Sequence, residues 1–365
     1  MPCHTQPCVN SFLVQENKKQ EFIVKKLVLT AFLFTSAFFL FAHFQMIYTS
    51  SSIIEQNAKS AGFILTFTHP FESGLTMDIG KNEQGEIKGL KEFYSIHKGK
   101  KLDLLSMIKE SEFTSAENKA SAYTFTLDKD SGFRGGGDWV LVAVPHPYYE
   151  ASEEGYIQQI TKVFINKAGL ATDWQTACVK GYPEILPLVK PYDIWKGSIF
   201  RAVVLDSNGK PVPFAEIEFA HINYDVDMQA KAFTGKAKLE QAGGGIILAD
   251  ATGVFEFIPP CAGYWGFSAL GVGKEKEFSG KALSQDAVIW IEINKDETEP
   301  APASNENEEK TAASEETSAS EKNREPRKDD FSPAALIIVI LLFAVMFAWP
   351  PIFKKMSEKS EKKDS

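Results

Sequence analysis

His43 directly follows an apolar stretch, and that placement offers it a chemistry open to none of the other five histidines of the chain. If a leader is cut after Ala42, His43 becomes a new N-terminus. Its α-amine and imidazole can then chelate one metal ion together. As free groups an α-amine titrates at about 7.7–8.0 and an imidazole at about 6.5, so both give up a proton at modest cost. Nitrogen ligands suit Ni²⁺, Co²⁺, Cu²⁺ and Zn²⁺, with affinity rising along the first-row series towards copper.

Two further histidines end apolar strand patterns. In "AGFILTFTHP", Phe63, Leu65 and Phe67 share one face, His69 is next on it, and Pro70 ends the strand. In "DWVLVAVPHP", Val140, Val142 and Val144 share a face and His146 follows. Both histidines therefore belong at strand rims, where a rigid scaffold holds exposed groups for ligands. Glu72, Met77 and Asp78 come shortly after His69. The competing reading of any lone histidine at a strand end is a half-exposed polar residue, and His97 and His221 fit that reading best. The metal candidates are His43, His69 and His146.

Catalysis has little to rest on. The chain carries no nucleophile elbow, Walker loop, dinucleotide fingerprint or HExxH. "AGGGI" at 242–246 lacks cofactor-loop spacing, and Gly135–Gly137 read as turn glycines. The expectation is not an enzyme. "GYWGFSAL" and "HPYYE" could stack on a sugar, but such aromatic runs are more often core.

The elements that must hold these histidines are short strands. "YIQQITKVFIN" is a third strand of the N-terminal part, and "KKLDLLSMIKES" reads as a short helix or as strand and hairpin. Pro183, Pro187 and Pro191 punctuate a boundary. Beyond it, strands flank Asn208-Gly209 and Thr252-Gly253, and "AVIWIEIN" closes the set. The expected fold is all-β, with two Ig-like, Greek-key sandwiches at 43–190 and 191–295.

Two apolar segments set the topology. Lys18, Lys19, Lys25 and Lys26 precede Leu27–Ala42, the pattern of a secretory signal over 1–42. Leu40 is less usual than Ala before a cut, and an uncleaved signal anchor is the alternative. Ala334–Trp349 is followed by Lys354, Lys355, Lys359, Lys362 and Lys363, which reads as a transmembrane helix over 331–353 with a cytoplasmic tail at 354–365. Between Asp296 and Asp330 twelve acids face five bases, so this stretch carries −7 of the chain's net −9. With few apolar residues, 296–330 is a disordered acidic linker. No basic face suggests nucleic acid. The bulk of the chain is then extracytoplasmic or periplasmic on a single-pass anchor in the cytoplasmic (inner) membrane. An oxidising compartment permits pairing of Cys178 with Cys261, and two separate thiols are the equal alternative.

The motifs "AHFQMIYTS", "LTFTHPFESGLTMDI", "GKKLDLL", "PHPYYEASEEGYIQQITKVFINKAG", "NGKPVPFAEIEF" and "ADATGVFEFIPPCAGYWGFSAL" fall in an order that resembles DUF4198-type proteins, over roughly His43 to Ile293. Some of these are accessory extracytoplasmic components of nickel/cobalt energy-coupling-factor ABC transporters. The C-terminal half is also similar to carboxypeptidase-regulatory, transthyretin-like modules. The resemblance implies Ni²⁺ or Co²⁺ as the ion handled, permease subunits of such a transporter as partners, and His43 and His69 as leading ligands. His97 lies in a motif of the same kind, "SIHKGKKLDLL". The alternatives are an envelope module that binds protein or glycan without metal, and copper handling, since an N-terminal histidine chelate favours Cu²⁺.

Overall fold

In the computed structural model the described residues are 43–240 and 243–294. The leader, the acidic linker, the membrane span and the tail expected from the sequence lie outside them. The described chain is all-β. Among the described residues the only helical turn is Leu105–Met107, and no helix is long and apolar enough to cross a membrane. "KKLDLLSMIKES" becomes the strand Lys100–Asp103, that single turn, and the strand Lys109–Thr114.

The strands form sheets of seven, twelve and three members, and the largest lies between the other two cores. Its central strands, Gly137–Pro145, Gly155–Lys167 and Lys281–Asn294, are buried on both faces. That is why Trp139–Val144 and Ala287–Ile291 read as near-continuous apolar runs, while Gly155–Lys167 buries polar side chains among its apolar ones. Alternation still decides which core each residue serves. Val140, Val142, Val144, Ile160, Phe164, Ile289 and Ile291 pack on one face. Leu141, Ala143, Val163, Ile165, Val288 and Trp290 pack on the other. The second group faces the sheet that holds Phe44–Tyr48 and Ala61–Thr68. The first group faces the sheet of Glu184–Pro187, Phe200–Leu205 and Val254–Phe257.

Pairing crosses residue 190 in all three sheets. Gly155–Lys167 pairs in parallel with Lys281–Asn294, Ala232–Thr234 meets Lys109–Thr114, and Glu184–Pro187 pairs with Phe200–Leu205. Lys162 and Glu184 form a buried ion pair between the first of these strands and the small sheet. No disulfide joins Cys178 to Cys261. Cys178 lies against Glu184, and burial pushes its thiol up to about 12.

Candidate metal site at the first strand

Phe44–Tyr48 pairs antiparallel with Ala61–Thr68, with Phe44 opposite Thr68. One step outward along the same register, His43 comes opposite His69. Their ring centroids are 4.6 Å apart and the rings meet edge to face at 88°. Pro70 cannot extend the strand, and the chain turns back through the bond from Ser73 N to His69 O (3.0 Å). The turn leaves the His69 ring buried at the strand end, only 6% exposed.

A third element completes the group. The short strand Tyr148–Glu150 brings Glu150 Oε2 to 3.3 Å from His43 Nε2. Ser152 also donates to Glu150 Oε1, from its hydroxyl (2.6 Å) and its N–H (3.0 Å). The His43 contact is the main reason that the Glu150 carboxyl is held down at about 2, with the Ser152 bonds adding to it against burial. His69 moves the other way for a histidine. Burial, then the neighbouring charge of His43, lowers it to about 4, with Glu150 opposing weakly. At neutral pH the site therefore presents an ionised carboxylate and an uncharged His69 imidazole.

The first strand is the free edge of its sheet, and side chains of the large sheet satisfy that edge. Gln159 Nε2 donates to His43 O and Gln159 Oε1 accepts from Gln45 N, both at 2.7 Å. Trp290 Nε1 donates to Gln45 O at 2.9 Å. His43 is thus fixed at its backbone as well as at its ring. Beside Gln159, on the same sheet face, lies Asp286, with Glu218 two strands further on. Burial raises these acids to about 6 and about 7; Asp286 raises Glu218 further, and His43 pulls it back. Glu72 is raised by burial and also feels His43.

The structure brings His43 and His69 together and places His146 elsewhere. His146 lines a cavity on the opposite face of the large sheet with Lys91 and Gln158, and a second, small one with Gln45, Phe67 and Gln159; no contact joins it to His43 or His69 among those described. Burial and the charges of Lys91 and Lys88 lower its pKa. His97 stacks on Trp139 at 3.9 Å and bonds through Nδ1 to Asp138 O. His221 is fully buried against Trp265, with Nε2 3.2 Å from Ala262 O. Asp78 is engaged by Lys81 and the Ser121 N–H. Among the described residues no three His, Cys, Asp or Glu side chains are grouped to hold a metal ion. His43 and His69 bring two imidazoles, with the Glu150 carboxylate beside them, to one end of the first strand pair.

Glu150 and Gln159 escape a reading of the sequence. Each lies more than 100 residues from His43 and carries no local signal of its own.

The profile of a family described as "Domain of unknown function (DUF4198)" matches residues 40–273. No curated protein matches the chain. Among solved structures, the D0-D1 domain of Intimin aligns at 10% identity over 69% of this chain and 100% of its own, with a TM-score of 0.16. The major pilin subunit of Bacillus cereus aligns at 9% identity over 69% of this chain and 66% of its own, with a TM-score of 0.15. Scores this low identify no common topology.

Proposed function

This chain belongs to the DUF4198 family, and we propose that it is a membrane-anchored, extracytoplasmic protein that captures Ni²⁺ or Co²⁺ for an uptake transporter of the energy-coupling-factor type. Its partners are the permease subunits of that transporter. Its role is binding and presentation rather than catalysis. In this reading the leader is removed after Ala42, a helix over 331–353 holds the chain in the cytoplasmic membrane, and the acidic linker spaces the β region from it.

The observation that carries this reading is the facing pair His43 and His69, 4.6 Å apart between ring centroids. An N-terminal histidine chelates through its amine and Nδ1, because only Nδ1 closes a six-membered ring with that amine. Glu150 sits at Nε2. It therefore holds the Nε2–H tautomer and leaves the Nδ1 lone pair for the ion, as outer carboxylates do for metal-bound histidines. His69 adds a third nitrogen that needs no deprotonation at neutral pH. Glu150, whose carboxyl is ionised at neutral pH, offsets part of the incoming cation's charge as water is stripped from it.

Isothermal titration of the processed protein tests this. One Ni²⁺ or Co²⁺ is expected per chain. His43→Ala and His69→Ala should each weaken binding by about tenfold or more, the loss expected when one ligand of a site is removed, while His221→Ala should leave it unchanged. Unaltered affinity in both of the first two variants would remove the site. Copper handling is the second reading, favoured by the all-nitrogen donor set. Cu²⁺ should bind most tightly in vitro whichever ion is carried, so the cargo is decided by which metal accumulates less in cells lacking the protein.

A further inference from the structure

The twelve-stranded sheet ends in two edges, Lys100–Asp103 and Gly244–Leu248. An open edge is a template for another chain, and proteins blunt it with charge, proline, a bulge or a cover. Lys100–Asp103 carries Lys100, Lys101 and Asp103, all exposed. In the seven-stranded sheet, side chains of the large sheet cover Phe44–Tyr48, and Asp225–Asp227 has two exposed aspartates. Gly244–Leu248 reads GGIIL, with no charge, no proline and no register shift, and all of it but Ile247 is exposed. Among the described residues no strand pairs with its outer side.

Its inner side pairs antiparallel with Glu216–His221, Glu216 opposite Leu248 and Ala220 opposite Gly244. At the two ends, Ala249 N donates to Ala215 O at 2.9 Å and His221 N donates to Gly243 O at 2.6 Å. Hydrogen-bonded rungs alternate with open ones in such a pair. Residues 243, 245, 247 and 249 therefore turn their N–H and C=O inward, and Gly244, Ile246 and Leu248 turn theirs outward. Ile246 and Leu248 are 45% and 64% exposed, while Ile247 between them packs on the core. The fold of the single chain does not demand a glycine at 244. Its backbone is not left-handed, and a Cβ there would meet only Phe219 O, at an ordinary 3.5 Å. A strand glycine with no reason inside its own chain marks the close approach of another backbone.

The outward row is complementary to itself. About a two-fold axis through Ile246, a second copy laid antiparallel sets Ile246 against Ile246 and each Gly244 against the other chain's Leu248. Each facing pair exchanges two backbone bonds, and each Leu248 lies over the space that a glycine leaves. Glu218 stands opposite Ile246 on the next strand inward. The two copies of Glu218 end three strand spacings apart, roughly 14 Å, beyond a Debye length of about 8 Å, so like charges do not meet across the axis. We propose that Gly244–Leu248 is a self-association edge, where two copies of this chain join their large sheets into one through an isologous contact. The contact does not depend on the metal reading.

Cross-linking tests the register. The full-length protein in detergent, carrying Ile246→Cys or Leu248→Cys, is treated with a short bifunctional thiol reagent across a dilution series, and the unaltered chain sets the background from native thiols. Position 246 meets itself with Cα atoms about 5.5 Å apart, so Ile246→Cys should give a covalent dimer. The two copies of position 248 lie four residues apart along the strands, roughly 13 Å, so Leu248→Cys should cross-link several-fold less. Mixing it with Gly244→Cys chains should restore the dimer. Adding Leu248→Lys to the Ile246→Cys chain puts a charge on the edge and should abolish the product without moving the urea midpoint. Background yield from Ile246→Cys would overturn the proposal. So would equal yields from Ile246→Cys and Leu248→Cys, which mark random collision, or a dimer that survives Leu248→Lys. In cells the Ile246→Cys product should have twice the mass of the chain. A product that holds a different protein would assign the edge to that partner and overturn self-pairing.

Discussion

Two imidazoles 4.6 Å apart repel one another if both are charged, and burial decides which stays neutral. His69, lowered to about 4 by burial and then by His43, stays a neutral imidazole across the neutral range. A ligand that is already deprotonated adds no pH dependence to metal binding. In the processed chain the slope of affinity against pH must therefore come from the α-amine, which as a free group takes up a proton as pH falls below about 8. Affinity should rise between about pH 6 and 8. His69→Ala should lower the whole curve without changing its slope, as measured by competition with a metal-sensitive dye. A slope that flattens in His69→Ala would show that His69 titrates in this range. Strand alternation and a cleavage pattern are local, so the sequence offers His43 and His69 as the leading candidates. It offers His146 behind them, on a similar local pattern. What separates them is which face of which sheet each strand turns inward, and that is set by long-range pairing.

At the level of the strand, an edge normally leaves N–H and C=O groups open to water or to another chain. Here Gln159, Thr161 and Trp290 of the large sheet bond the edge of Phe44–Tyr48. Gln159 grips both His43 O and Gln45 N, so it governs how well the chain's first described residue is held. Gln159→Met should free that residue. Hydrogen exchange at the Gln45 amide should speed up, and nickel affinity should fall several-fold, with little loss in the His43→Ala background. An equal loss in both backgrounds would mean that Gln159 acts on the fold and not on His43. Short strands with turn glycines and proline stops were legible, and so was their all-β outcome. The parallel pairing of Gly155–Lys167 with Lys281–Asn294 was not. Its register rests on side chains more than 100 residues apart, such as Gln158 opposite Gln285 and Gln159 opposite Asp286, and neither strand carries a local signal of its partner.

Over the whole described region, the large sheet is shared by two cores, and the Lys162–Glu184 pair ties it to the small sheet. Burial alone would raise the Glu184 carboxyl, but Lys162 and the N–H groups of Cys178 and Val179 hold it below its ordinary value. A depressed carboxyl stabilises the fold above its unfolded pKa, and that stability is lost as pH falls through the folded one. Lys162→Met strands a buried charge and should cost about 3–5 kcal/mol in urea unfolding. Adding Glu184→Gln, which still accepts from Cys178 N, should recover part of it. A double variant as unstable as the sum of the singles would deny the coupling. At His43, position matters as much as identity. The most direct measurement is calorimetric titration of Ni²⁺ into the mature chain that begins at His43 and into the same chain with one Ala placed ahead of His43. The extension keeps both imidazoles and Glu150 but moves the amine. Affinity should fall at least about tenfold, no less than the loss of a mere outer-shell partner brings. Equal affinity in the two chains, or an intact mass that still contains the leader, would contradict it.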